Sequence, residues 1–109
     1  MKKEPKITKS SGNVFGDLGL PKAGQAMAKA QLARRIAEII EGRRLTQVQA
    51  AKLLELDQAK VSALVRGELG GFSSDRLFRF LNALDQDVEI TIKNKPKSRD
   101  GARVYVLAS

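Results

Sequence analysis

Side chains able to recognise a nucleobase or a phosphate gather in one short stretch, DQAKVSALVRG, residues 57–67. Gln58 carries a donor and an acceptor side by side, the arrangement that pairs bidentately with adenine, and Lys60 can reach guanine. Ala59 or Ala63 could meet a thymine methyl. Arg66, one to two turns further along, is expected nearer a phosphate. Thr46, Gln47, Ser73 and Ser74 lie at expected helix starts, where backbone amides and short polar side chains can hold phosphates. Catalytic chemistry has far less to work with. The chain contains no His and no Cys, which removes the commonest general base and any thiolate metal site. Its carboxylates mostly sit beside cations, as Glu38 does beside Arg34 and Arg35. Gly70-Gly71 is explained by a turn and is not a nucleotide-binding loop. No catalytic residue, metal ligand or cofactor is expected, and an enzyme ranks far below the other readings.

The chain has 109 residues, a net charge of +8 and a pI near 10.1. That length suits one domain with tails and one modest core. The positive excess lies disproportionately in the ends. Residues 1–12 hold four Lys against one Glu, and residues 88–109 hold five basic against two acidic residues. Residues 13–87 are nearly balanced, with eleven basic and nine acidic. A polyanionic partner is the natural inference, and solubility alone is the plainer one. No apolar run is long enough to span a bilayer, and no secretory signal follows the basic start, so the expected compartment is the cytoplasm.

These residues need elements to position them. Residues 1–12, rich in Lys, Ser and Thr, read as a disordered basic arm. Residues 13–21 read as a short helical turn capped by Asn13, bringing Phe15, Leu18 and Leu20 onto the core. From Lys22 to about Arg43, Leu32, Ile36, Ile39 and Ile40 recur at helical spacing. Thr46 and Gln49 form a capping box that opens a second helix, ending near Glu55. Asp57 caps a third, which Gly67 ends. Ser73 caps a fourth, whose buried stripe is Leu77, Phe80, Leu81 and Leu84. The period then changes. Residues 88–93 alternate, so Val88, Ile90 and Ile92 share one face. Residues 103–107 read as a second strand, with Asp100-Gly101 as the turn signal between them.

Two helices separated by about three residues cannot share an axis and must cross steeply, the helix-turn-helix arrangement. At about 100° per residue, Val61, Leu64 and Val65 fall on one side of the second piece. Ala59, Ser62, Ala63 and Arg66 fall on the other. A small outer face lets a helix backbone descend into a DNA major groove, where base edges lie deep. A plain helical bundle with an Ala-rich surface is the alternative.

LTQVQAAKLL followed by DQAKVSALVRG resembles the lambda-repressor and Cro-like (XRE) helix-turn-helix regulators, over about residues 25–86. The resemblance implies a backbone-contacting Gln like Gln47 after Thr46, and a base-reading Gln like Gln58. It implies that Ala59, Lys60 and Ser62 face bases, and that Ala51, Val61 and Leu64 form the framework. The family commonly carries Gly at the motif turn where this chain has Glu55. The flanking segments 13–21, 71–84 and 88–92 resemble short XRE regulators, many of them antitoxins encoded with RelE/HigB-like toxins. Such antitoxins repress their own operon and bind the toxin.

The expected fold is mainly α: a lambda-repressor-like bundle of about five helices over 13–87, with a C-terminal β-strand or hairpin over 88–109. The expected partners are a double-stranded DNA operator, a second copy of the chain and a RelE/HigB-like toxin, with no membrane. Val88, Ile90 and Ile92 are expected to pair across a homodimer or within an internal hairpin. The expected function is a sequence-specific repressor that is also an antitoxin. Competing readings are a stand-alone XRE repressor, a toxin-neutralising protein, and a non-specific nucleic-acid binder acting through its tails.

Overall fold

Each helix begins where the sequence supplies a start signal. The computed structural model describes residues 15, 19, 21–91 and 93–101. Helix α1 spans Lys22–Gly42 and follows Pro21, whose fixed φ suits a helix entrance. Helix α2 spans Gln47–Leu54 behind Thr46, α3 spans Gln58–Val65 behind Asp57, and α4 spans Ser74–Ala83 behind Ser73. All three of these caps are extended at ψ near 160° and accept an N–H from the first turn, which satisfies a donor the helix leaves without an internal partner.

The helix ends obey one further rule. Each is closed by a residue with positive φ: Arg44 (55°), Glu55 (56°), Gly67 (79°) and Asp85 (61°). The next residue donates back to a carbonyl five positions earlier: Leu45 N–H to Ile40 O, Leu56 to Ala51, Glu68 to Ala63, and Gln86 to Leu81, at 2.9–3.0 Å. This is the Schellman closure. Two of the donors are leucines, Leu45 and Leu56, which pack against the core, the apolar contact that commonly accompanies the motif. Glu55 therefore takes the left-handed conformation for which the family commonly uses Gly.

The core lies where the four helices meet. Helix α1 packs on α3 and α4, and α2 packs on α3 and α4. From α1, Leu32, Ile36, Ile39 and Ile40 point inward, with Ala28 and Ala33 filling the close approaches. Ala50 and Ala51 do the same for α2, since a small side chain lets two helix axes cross closely. Ile36, Val61, Leu64, Leu77 and Leu84 are fully buried, each stabilising the fold by about 1.5–3 kcal/mol. Phe15, in helical conformation and buried, meets Phe78 edge to face at 5.7 Å. Phe72 meets Phe80 in the same way at 5.8 Å. The Arg76 guanidinium lies over both of the latter rings and donates to Gly71 O.

Three expectations are corrected. The described residues contain four helices, not about five. They contain no C-terminal strand. Val88 and Ile90 instead lie half-buried against the core of their own chain, and no described segment offers the ladder that a strand requires. The chain turns at Pro96–Arg99, where Arg99 N–H donates to Pro96 O at 3.1 Å, ahead of Asp100-Gly101. Val65 is 38% exposed, because it lies at the edge of the arc that Val61 and Leu64 centre. Residues 1–12, Asn13, Leu18, Leu20, Ile92 and 103–107 lie outside the described residues.

A non-glycine residue in the left-handed region is strained. Glu55→Gly should therefore raise unfolding stability by about 0.5–1 kcal/mol, the relief exceeding the added chain entropy. A urea midpoint shifted upward at constant m-value is the expected result.

Candidate nucleic-acid interface

The outward side of α3 is built by the closures on either side of it. Leu56 is anchored to Ala51 O and to the core, leaving Asp57 extended with its carboxylate Oδ1 accepting the Lys60 N–H at 2.8 Å. From that cap, Val61 and Leu64 point inward, and the remaining positions are turned outward by helical geometry. Gln58, Ala59 and Lys60 are exposed, Ser62 is half-exposed and Arg66 is exposed. These five residues share the outer surface of a helix about 12 Å long. Ala63 is shared between surface and interior: half-buried, it packs against the core.

The polar residues differ in how freely their groups are presented. The Thr46 hydroxyl accepts the Gln49 N–H at 3.1 Å, and the Thr46 N–H donates to Gln49 Oε1 at 2.9 Å. The capping box is complete, and the adjacent Gln47 is exposed. Ser73 accepts the Arg76 N–H at 3.2 Å and caps α4. Ser74 is 1% exposed, so its hydroxyl is turned into the fold and away from any surface anion. Asp75, in the same first turn, has its Oδ1 buried without a hydrogen-bond partner. A carboxylate there opposes a phosphate at the start of α4, so this helix start is poorer for anions than Ser73 and Ser74 suggest.

Arg66 has a partner that sequence reasoning did not assign. Its Nε and Nη2 donate to the Glu68 carboxylate at 3.3 and 3.0 Å, and its Nη1 donates to Ser62 Oγ. Both charges are solvent-exposed. Hydrogen bonding, then simple attraction, raises the Arg66 pKa and lowers that of Glu68. The signal in the sequence was Gly67: a left-handed residue after α3 folds the chain back and returns residue 68 to the helix end. Of the apolar residues expected at a dimer interface, Val88 and Ile90 are half-buried on their own chain, while Ile92 lies outside the described residues.

Comparisons with known proteins align with this arrangement. A family model described as a helix-turn-helix domain matches residues 14–93. A solved structure described as an XRE-family transcriptional regulator is 48% identical, with a TM-score of 0.78, covering 82% of this chain and 100% of that one. A protein of Mycobacterium tuberculosis named as an antitoxin, HigA2, is 33% identical over 61 residues, 56% of this chain. The chain spans 60% of that relative's length.

The two caps that frame the helix pair are expected to matter equally. Thr46→Ala and Asp57→Ala should each cost about 1 kcal/mol in denaturant unfolding. Asp57→Ala should also speed hydrogen exchange at the Lys60 amide, whose acceptor it removes.

Proposed function

The chain belongs to the helix-turn-helix domain family matching residues 14–93, as an XRE-type transcriptional regulator, and from that premise we propose that it binds operator DNA sequence-specifically as a homodimeric repressor. One observation carries this reading: a capped helix, following its partner after a three-residue break, leaves Gln58, Ala59 and Lys60 exposed and Ser62 half-exposed among the described residues. Helix α3 enters the major groove. Gln58 reads adenine, Lys60 reads guanine, and Ala59 and Ala63 allow close approach to thymine methyls. Thr46 and Gln47, at the start of α2, hold the backbone that flanks the groove. Arg66 lies toward the groove edge. Ser73 contributes through the start of α4, and Ser74 through its backbone alone. A second copy places its own α3 about one turn away, roughly 34 Å. The basic segments 1–12 and 88–109 add charge that attracts any duplex.

The finer reading is that of an antitoxin that represses its own operon and neutralises a RelE/HigB-like toxin in the cytoplasm. The likeness to HigA2, a protein named as an antitoxin, supports it. The likeness to an XRE-family transcriptional regulator is equally compatible with the alternative, a repressor that acts alone. Copurification with the product of a neighbouring toxin-like gene separates the two.

Footprinting on the chain's own promoter should show a near-palindromic protected site. Gln58→Ala should weaken binding there by about 1–3 kcal/mol, relaxing the preference at one base pair per half-site. Binding that survives Gln58→Ala unchanged and disappears on deleting 1–12 and 94–109 would instead favour a non-specific binder.

Segment 88–93, whose Val88 and Ile90 pack partly on their own core, is the candidate homodimer contact that truncation tests. A chain truncated after Gln86 should sediment as a monomer where the full chain sediments as a dimer. A tight dimer of the truncated chain assigns the interface to the helices.

A further inference from the structure

The one ion pair among the described residues lies at the end of α3, on its outward side. Arg66 closes the helix, and Gly67, at φ 79°, reverses the chain so that the Glu68 N–H reaches Ala63 O at 2.9 Å. That hydrogen bond fixes the backbone of Glu68, and its carboxylate receives the Arg66 fork through Nε and Nη2. The third arm of the guanidinium lies on Ser62 Oγ. The arginine is thus drawn along the outer face, with three of its five N–H donors engaged and the Nε/Nη2 edge, the one best suited to a bidentate phosphate, taken by Glu68.

This placement is hard to explain by stability. Exposed pairs contribute little to folding, and a carboxylate at a helix C-terminus opposes the helix dipole. It is equally unfavourable for general DNA affinity, since a carboxylate beside a duplex repels phosphates. On the reading of α3 as the base-reading helix, we propose that Glu68 is a specificity-determining residue that holds Arg66 over Ser62 and withdraws its charge from indiscriminate phosphate contact.

Two consequences follow. Non-specific binding is governed by the number of phosphates neutralised, and an Arg66 whose charge is shared with Glu68 adds less to that number than a free one. Arginine prefers the planar bidentate geometry that carboxylate and phosphate both offer, so Glu68 competes directly with any phosphate for the same fork. In the specific register, by contrast, Gln58 and Lys60 supply the contacts that decide binding. There a fixed Arg66 across Ser62 forms part of a preorganised surface, and freeing it gains nothing. Removing the carboxylate should therefore favour wrong registers over the right one.

The test compares the full-length chain with Glu68→Gln, Arg66→Ala and the double variant. The probes are a random-sequence duplex of about 20 base pairs, long enough for two half-sites one turn apart, and a site selected from a random pool by the wild-type protein. Glu68→Gln should bind the random duplex more tightly. Its log K against log salt should steepen by about 1.8, one extra phosphate for each protomer of the dimer, equivalent to about 12-fold more affinity lost between 50 and 200 mM salt. The ratio of selected-site to random affinity should fall, and Arg66→Ala should abolish both effects of Glu68→Gln. An unchanged slope on random duplex, an equal gain on both duplexes, or a gain persisting without Arg66 would each overturn the proposal. Failure of the wild type to bind any duplex would overturn the base-reading role of α3 itself, and this proposal with it. A gain in binding cannot be mimicked by misfolding.

Discussion

The outward side of α3 exists because the chain leaves the helical path at Glu55 and re-enters it at Gln58. Glu55 takes φ 56°, which stops α2. The Leu56 N–H returns to Ala51 O, and its side chain packs on the core. Asp57 is then extended and positioned to cap. Had Glu55 continued in the right-handed helix, Val61 and Leu64 would leave the interior along with α3. The other three helix ends repeat the closure with Arg44, Gly67 and Asp85. Only one of these four residues is glycine, so the interior must hold three strained residues in place. It does so through apolar groups that each turn would otherwise misplace: partly buried Leu45 and Leu56 at two closures, and fully buried Leu84 immediately before a third. Arg43 adds a clasp between the ends of α1 and α4 by donating to Leu84 O at 2.5 Å.

Much of this was legible in the sequence, because local chemistry and burial agree. The Thr46/Gln49 capping box, the Asp57 and Ser73 caps and the Gly67 closure lie where residue types alone placed them. Leu32, Ile36, Ile39 and Ile40 are buried, as helical spacing required. The C-terminal segment failed for a physical reason. Alternation at 88–92 reports that one side is apolar, and it cannot report what that side packs against. Val88 and Ile90 meet the core of their own chain, an apolar contact that produces the same alternation as a ladder. Val65 shows the limit of winding residues at a fixed angle: in a helix of eight residues packed on one side, the edge of the apolar arc remains wet. Ser74 shows a related limit, since a hydroxyl beside a cap can turn inward as readily as outward.

The proposed site was legible in part. Gln58, Ala59 and Lys60 are exposed and Ser62 is half-exposed, because the cap at Asp57 sets the phase of α3 and the apolar pair sets its rotation. Glu68 was hidden. Its approach to Arg66 depends on the chain reversal at Gly67 and not on helical spacing, and a pair two residues apart has no periodic signature. The expectation that Arg66 lies nearer a phosphate took account of its own charge alone. The guanidinium is instead shared among Glu68 and Ser62.

Charge and shape are thereby separated along the chain. The positive excess belongs mainly to residues 1–12 and 88–109, while residues 13–87 are nearly balanced. The outward side of α3 carries Lys60, without an ion-pair partner among the described residues, and Arg66 paired with its neighbour Glu68. Under the proposed function, attraction to a duplex would come from the ends, acting over a Debye length of roughly 8–10 Å and indifferent to sequence. Discrimination would come from a face with little net charge, small enough to approach base edges closely. A strongly cationic face would hold any register through phosphates and blunt the differences that Gln58 and Lys60 create. Small side chains and a paired arginine are consistent with one requirement: the helix should be held firmly only where base edges match it.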